Sequence, residues 1–223
     1  LVLSRPVSNV IELLTSGIKN TSSAVVLVSF ITMLVAFLNW GLGLIFGALI
    51  ARKIAEKAKK ENFPLNYPLL GAAGYVGMMI WHGGLSGSAP LKSAENGHIR
   101  NITQNENISS LPELIPSIET TLSFSNILLF SILLVIIPLS FYLLSKKNFS
   151  PSINLPSEYI TEENSENPVG ADRINHNIFF SKLIGIIILI TFIIQYQERL
   201  SNFIITPNML NFLMLGLCFL FHK

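Results

Sequence analysis

Charge is scarce in this chain. Only 13% of its 223 residues are Asp, Glu, Lys or Arg, where a soluble domain carries about a quarter. With half of the residues hydrophobic and a mean hydropathy of +0.55, that shortage excludes an ordinary soluble fold and points to an all-α polytopic membrane protein. Cysteine is nearly absent too. Cys218 stands alone, so no intrachain disulfide can form and the redox compartment is not legible. A net charge of +2 is too small for a nucleic-acid partner. No P-loop, dinucleotide fingerprint or metal-ligand cluster is found, so neither an ATP-driven engine nor a cofactor is expected. A starting Met is also missing. The chain opens on Leu1 and stops at His222-Lys223 directly after an apolar run, and it reads as an internal piece of a longer polytopic protein.

What the chain does have is about five hydrophobic segments separated by polar ones. Residues 1–23 form the first unit. Val7, Val10, Ile11, Leu14 and Ile18 recur at helical spacing, with Glu12 and Lys19 on the polar side, which predicts an interfacial amphipathic helix or the tail of a preceding span. Residues 24–91 hold two hydrophobic segments. The first, 24–51, is uncharged and too long for a roughly 30 Å hydrocarbon core unless it tilts or breaks. Asn39-Trp40-Gly41-Leu42-Gly43 marks the break. Arg52, Lys53, Lys57, Lys59 and Lys60 follow at once, placing the next loop in the cytoplasm under the positive-inside rule. The second segment, Pro68 to Leu91, carries Gly71, Gly74 and Gly77 three apart, a spacing that permits close helix contact in lipid.

Beyond it, residues 92–125 are polar and expected outside, and 126–145 form a span kinked by Pro138. Residues 146–177 make a polar cytoplasmic loop, and 178–223 supply two further spans. No internal repeat is legible at this level.

Chemistry concentrates in Trp81-His82-Gly83-Gly84-Leu85-Ser86-Gly87-Ser88-Ala89-Pro90. Lipid cannot satisfy an irregular backbone, so such a stretch survives at membrane depth only when buried in protein or facing a wet cavity. Gly83, Gly84 and Gly87 would allow positive φ and close approach of a ligand, while Ser86 and Ser88 offer hydroxyls. A half-helix starting near Ser88 would direct N–H groups at a carboxylate. The same residues could equally make a plain turn between spans. His82 could relay a proton or simply pack. Asn39 could be interhelical glue or, with Gly41 and Gly43, part of a broken helix that holds an ion or substrate. Gly84-Leu85-Ser86-Gly87 also matches the short Gly-x-Ser-Gly of rhomboid intramembrane proteases, but His176 lies in a polar loop and His222 lacks the expected surroundings.

The blocks Asn39 to Ala48 with Ala51-Arg52, Tyr67 to Gly77, and Trp81 to Leu91 resemble, in order and spacing, the signatures of the bacterial short-chain fatty acid transporter family. Leu217 to Lys223 is similar to the end of one of its spans. The resemblance implies half of an inverted-repeat secondary carrier in the bacterial inner membrane, moving butyrate, acetoacetate and similar monocarboxylates on a proton or sodium gradient, and not an enzyme. It places the substrate among Asn39, Trp40, Gly41, Gly43, His82, Gly83, Gly84, Ser86, Gly87 and Ser88, with Trp40 and Trp81 against the alkyl tail. The partners it implies are the small carboxylate, the lipid bilayer, the second half of the polypeptide and a second copy in a homo-oligomer. The alternatives are a carrier of another small carboxylate or ion, and an intramembrane serine hydrolase using Ser86.

Overall fold

The structure, a computed structural model, describes residues 5–103, 111–147 and 177–221. Every regular element among them is helical. Helix α1 (Arg5–Thr15) is amphipathic, as its spacing predicts. Ile11 and Thr15 are buried while Glu12 and Leu13 face outward. Its last carbonyls, on Thr15 and Ser16, accept from Lys57 Nζ. A cation at a helix C-terminus complements the dipole there.

Helices α2 (Thr21–Leu38) and α3 (Trp40–Glu61) carry the first long apolar segment. The break at Asn39 is present, and it is a reversal. Asn39 is extended (φ −151°, ψ 120°) and serves both as the C-cap of α2 and as the N-cap of α3. The two helices then run antiparallel, with Gly43 against Ala36 and Gly47 against Thr32. Small residues on both helices bring the backbones together without a side chain between them. The 18 residues of α2 put the apex about 27 Å from its start.

Helix α4 (Tyr67–Tyr75) starts beside the foot of that hairpin, where the Asn66 N–H donates to Thr21 Oγ1 at 2.9 Å. It climbs towards the apex: Gly74 lies on Gly47, Gly77 on Ala36 and Thr32, and Gly84 on Phe37. On the way it loses α geometry, passing through 3₁₀ turns at Val76–Met79 and Trp81–Gly83. Such a stretch within a helical segment often marks a functional hinge. The sequence-predicted span 68–91 is therefore an interrupted helix. Short helices α5 (Ser88–Ser93) and α6 (His98–Thr103) follow.

Helix α7 (Phe124–Ser145) descends from the apex to the foot, where Ser145 Oγ meets Ser22 Oγ at 2.7 Å. Helices α8 (Ile178–Ser201) and α9 (Pro207–Leu220) form a second hairpin, close-packed at Gly185 and Gly216 and tied by Ser181 Oγ donating to Phe219 O at 2.7 Å. This hairpin joins the rest at its turn: Ser117 N–H donates to Phe203 O, and Ile205 N–H donates to Ser117 Oγ.

Among the described residues three helices, α2, α7 and α8, are long and apolar enough to cross a membrane, and α9 is a shorter apolar helix. Most of the outward surface of α7 and α8 is Ile, Leu, Val and Phe, the surface that lipid requires. The cores are Ile50, Ile54, Val28 and Leu70 near the foot, and Met33, Val76 and Ile80 near the apex. Residues 148–176, which include His176 and most of the expected polar loop, and the terminal His222-Lys223 lie outside the described residues.

Candidate functional site

The apex of the α2–α3 hairpin and the unwound end of the α4 segment meet. The first N–H groups of a helix have no partner within it, and here they are shared out. Asn39 Oδ1 accepts from Leu42 N–H at 3.0 Å, a standard N-cap. Ser86 Oγ, on the other segment and 46 residues away, accepts from Trp40 N–H at 2.9 Å. Gly43 N–H opens the regular ladder with Asn39 O. Gly41 N–H is left without an acceptor among the described residues.

Further bonds hold the two segments in register. Leu85 N–H donates to Phe37 O at 2.7 Å. Asn126, in the first turn of α7, donates from Nδ2 to Gly83 O at 2.8 Å and to Thr121 O at 2.7 Å. Thr121 Oγ1 reaches Gly84 O at 3.5 Å. Rings complete the junction: Trp40 and Trp81 lie 5.6 Å apart, and His82 lies 4.0 Å from Trp81. Ser86 is only 7% exposed, whereas Trp40 is 41% exposed.

The glycines are where expectation and structure part. Positive φ was expected at Gly83, Gly84 and Gly87, yet Gly97 is the only described glycine with positive φ. Gly84 has φ −85° and Gly87 φ −64°, both open to any L residue. What forbids a side chain is space. A Cβ at Gly83 would lie 2.7 Å from Asn126 Oδ1, one at Gly84 would lie 2.6 Å from Phe37 O, and one at Gly87 would strike His82 O. These glycines admit the protein's own chain. Gly43 is likewise filled by Ala36, with distances of 2.6 Å. Gly41 is different. A Cβ there meets nothing closer than Asn39 Oδ1 at 3.4 Å, so neither packing nor φ explains its lack of a side chain.

Of the expected site residues, Asn39, Trp40, Gly41, Gly84 and Ser86 converge on the junction. His82 joins through Trp81 but is exposed, and Ser88 is exposed with no hydroxyl contact to the junction. The half-helix starting at Ser88 exists, though at six residues without a side-chain cap it is a weak anion anchor beside the 22-residue α3. Among the described residues no histidine bonds to Ser86, and no group of His, Cys, Asp and Glu could hold a metal. Asn126, Thr121 and Phe37 were missed by sequence reasoning. An Asn at the start of an apolar run looks like an interfacial residue, and nothing local links it to Gly83.

The arrangement can receive an anion without any charged side chain. It offers the positive end of a long helix, one unused N–H, and two further N–H groups whose present acceptors are side-chain oxygens that can rotate away.

A family model described as short chain fatty acid transporter matches residues 1–223. A protein of Escherichia coli (strain K12) named "Putative short-chain fatty acid transporter" is 27% identical over 228 residues, covering all of this chain and 49% of that protein. A protein of the same name from Haemophilus influenzae is 28% identical over 191 residues, covering 83% of this chain and 41% of that protein. The chain thus spans about half the length of the curated relatives it matches. No solved structure matches the chain significantly.

Proposed function

Because the chain belongs to the short-chain fatty acid transporter family, we propose that the polypeptide containing it is a secondary carrier of short monocarboxylates such as butyrate and acetoacetate across the bacterial inner membrane. The observation that carries this reading is the Trp40 N–H to Ser86 Oγ bond at 2.9 Å. It joins the two motif-bearing segments at the N-terminus of α3 and leaves Gly41 N–H beside it as an unused donor.

The substrate carboxylate accepts from Gly41 N–H first. It then takes over Trp40 N–H from Ser86 and Leu42 N–H from Asn39, so that the ligand's oxygens replace the two side-chain caps. Charge-assisted bonds of this kind are about twice as strong as neutral ones, which favours the exchange. Once freed, the Ser86 hydroxyl donates to the same carboxylate. Binding thereby replaces the direct tie between the apex and the unwound segment with one that runs through the ligand, and this coupling of occupancy to local geometry is what a carrier needs to alternate between faces. In the family-length protein a second half, related to this one as an inverted repeat, closes the site from the other side. A proton or sodium gradient drives uptake.

The test is uptake of labelled butyrate by the complete polypeptide in proteoliposomes. Ser86→Ala and Asn39→Ala, inserted at normal levels, are expected to lose most uptake. Full uptake in both variants contradicts the site, and Ser86-dependent peptide cleavage would instead favour a hydrolase. Varying sodium at fixed pH in the same assay identifies the coupling ion.

A further inference from the structure

Beside the junction lies a half-open pocket that the sequence did not disclose. A pocket of about 120 Å³ is bounded by Phe37 at the end of α2, Ile80 and Gly83 of the interrupted helix, and Asn126, Phe130 and Leu133 of α7. Met79 and Leu129, both largely exposed, stand at its mouth. Phe37 and Phe130 stack with centroids 4.5 Å apart. The volume is far below the roughly 300–1,000 Å³ of sites for drug-sized ligands, so only a few carbon atoms fit.

We propose that this pocket receives the alkyl tail of the carboxylate and sets the longest chain that the carrier accepts; this rests on the carrier reading above. Three observations support it. First, the pocket shares Phe37 and Gly83 with the junction. Phe37 O is held by Leu85 N–H, one residue from Ser86, so the pocket lies against the same unwound segment that carries Ser86 to the place assigned to the carboxylate. Second, its chemistry suits a tail and not a head group. Both Asn126 amide hydrogens are spent on Gly83 O and Thr121 O, which leaves the pocket no N–H donor for an anion. Third, the indoles expected to hold the tail make an open surface. Trp40 is substantially exposed, and the Trp81 ring lies tilted against exposed His82.

Leu133 is the residue to vary, since it is half-buried, lines the pocket and belongs to none of the hydrogen bonds that build the junction. In proteoliposomes holding the complete polypeptide, uptake of acetate, butyrate and hexanoate is compared for the unmodified protein, Leu133→Ala, Leu133→Phe, and Leu139→Ala on the exposed face of α7. Leu133→Ala is expected to raise hexanoate relative to butyrate by about tenfold, the discrimination available from fitting a methylene. Leu133→Phe is expected to lower butyrate relative to acetate by a similar factor, and Leu139→Ala to leave both ratios unchanged. A structural role would scale all three acids together, and that result in both Leu133 variants overturns the proposal. Should the Phe variant fail to insert, the Ala variant alone decides. If the unmodified protein moves none of the three acids, the carrier reading itself fails, an outcome distinct from unaltered ratios in an active protein.

Discussion

Two glycines in one motif, two residues apart on the first turns of α3, should respond oppositely to the same substitution. A Cβ at Gly43 would sit 2.6 Å from both Cα and Cβ of Ala36. Ordinary contact begins near 3.4 Å, so α2 and α3 must part by about 0.8 Å at their apex. The opposing Cα is backbone and cannot rotate away, and overpacking of this kind costs about 1–3 kcal/mol. From the middle of that range, about 2 kcal/mol, Ala recovers up to about 1 kcal/mol through helix propensity, leaving a net loss of about 1–2 kcal/mol. At about 2–4 °C per kcal/mol for a chain of this length, Gly43→Ala should unfold roughly 2–8 °C lower in detergent. Gly41→Ala meets only Asn39 Oδ1 at 3.4 Å and should unfold within about 1 kcal/mol of the unmodified protein. It does, however, place a methyl group beside the N–H assigned to the carboxylate, so butyrate uptake should fall while stability holds. Thermal unfolding and uptake on the same preparations separate the two effects. Equal melting temperatures for the two variants would refute the packing argument. Undiminished uptake in Gly41→Ala would refute the role given to its N–H.

Asn126→Ala orphans the carbonyls of Gly83 and Thr121, at about 1–3 kcal/mol for each polar group left unpaired in a dry setting. A lowered melting temperature together with weakened uptake is expected, because the unwound segment loses its anchor to α7. Lys57→Met keeps the aliphatic stem but removes the donors to Thr15 O and Ser16 O. Amide hydrogen exchange should quicken in α1 and stay unchanged in the middle of α3, consistent with a terminal charge–dipole contact of about 1 kcal/mol.

The membrane class, the interruptions and the two motif blocks were legible in the sequence because each leaves a local mark: missing charge, an Asn in a run of apolar residues, a cluster of Gly and Ser. The reversal at Asn39 was not. Hydropathy has no direction, and Asn39-Trp40-Gly41 reads alike in a kinked span and at a hairpin apex; the distinction lies in Ala36, Gly43, Thr32 and Gly47 fitting face to face. Sequence could also name Gly83, Gly84 and Gly87 as places of close approach, but not what approaches. It proves to be Asn126 and Phe37, brought there by tertiary structure, and His82 of the same turn. The bond between Ser86 and Trp40 spans 46 residues, and no local pattern encodes it.

The central claim is that a short carboxylate binds where the two segments meet, and the chain supplies its own reporter. Both of its tryptophans, Trp40 and Trp81, stand at the junction with rings 5.6 Å apart. Titrating butyrate into the purified complete polypeptide should produce a saturable change in tryptophan emission that n-butanol does not reproduce and that Ser86→Ala abolishes. Emission indifferent to butyrate in a preparation that transports it would contradict the account.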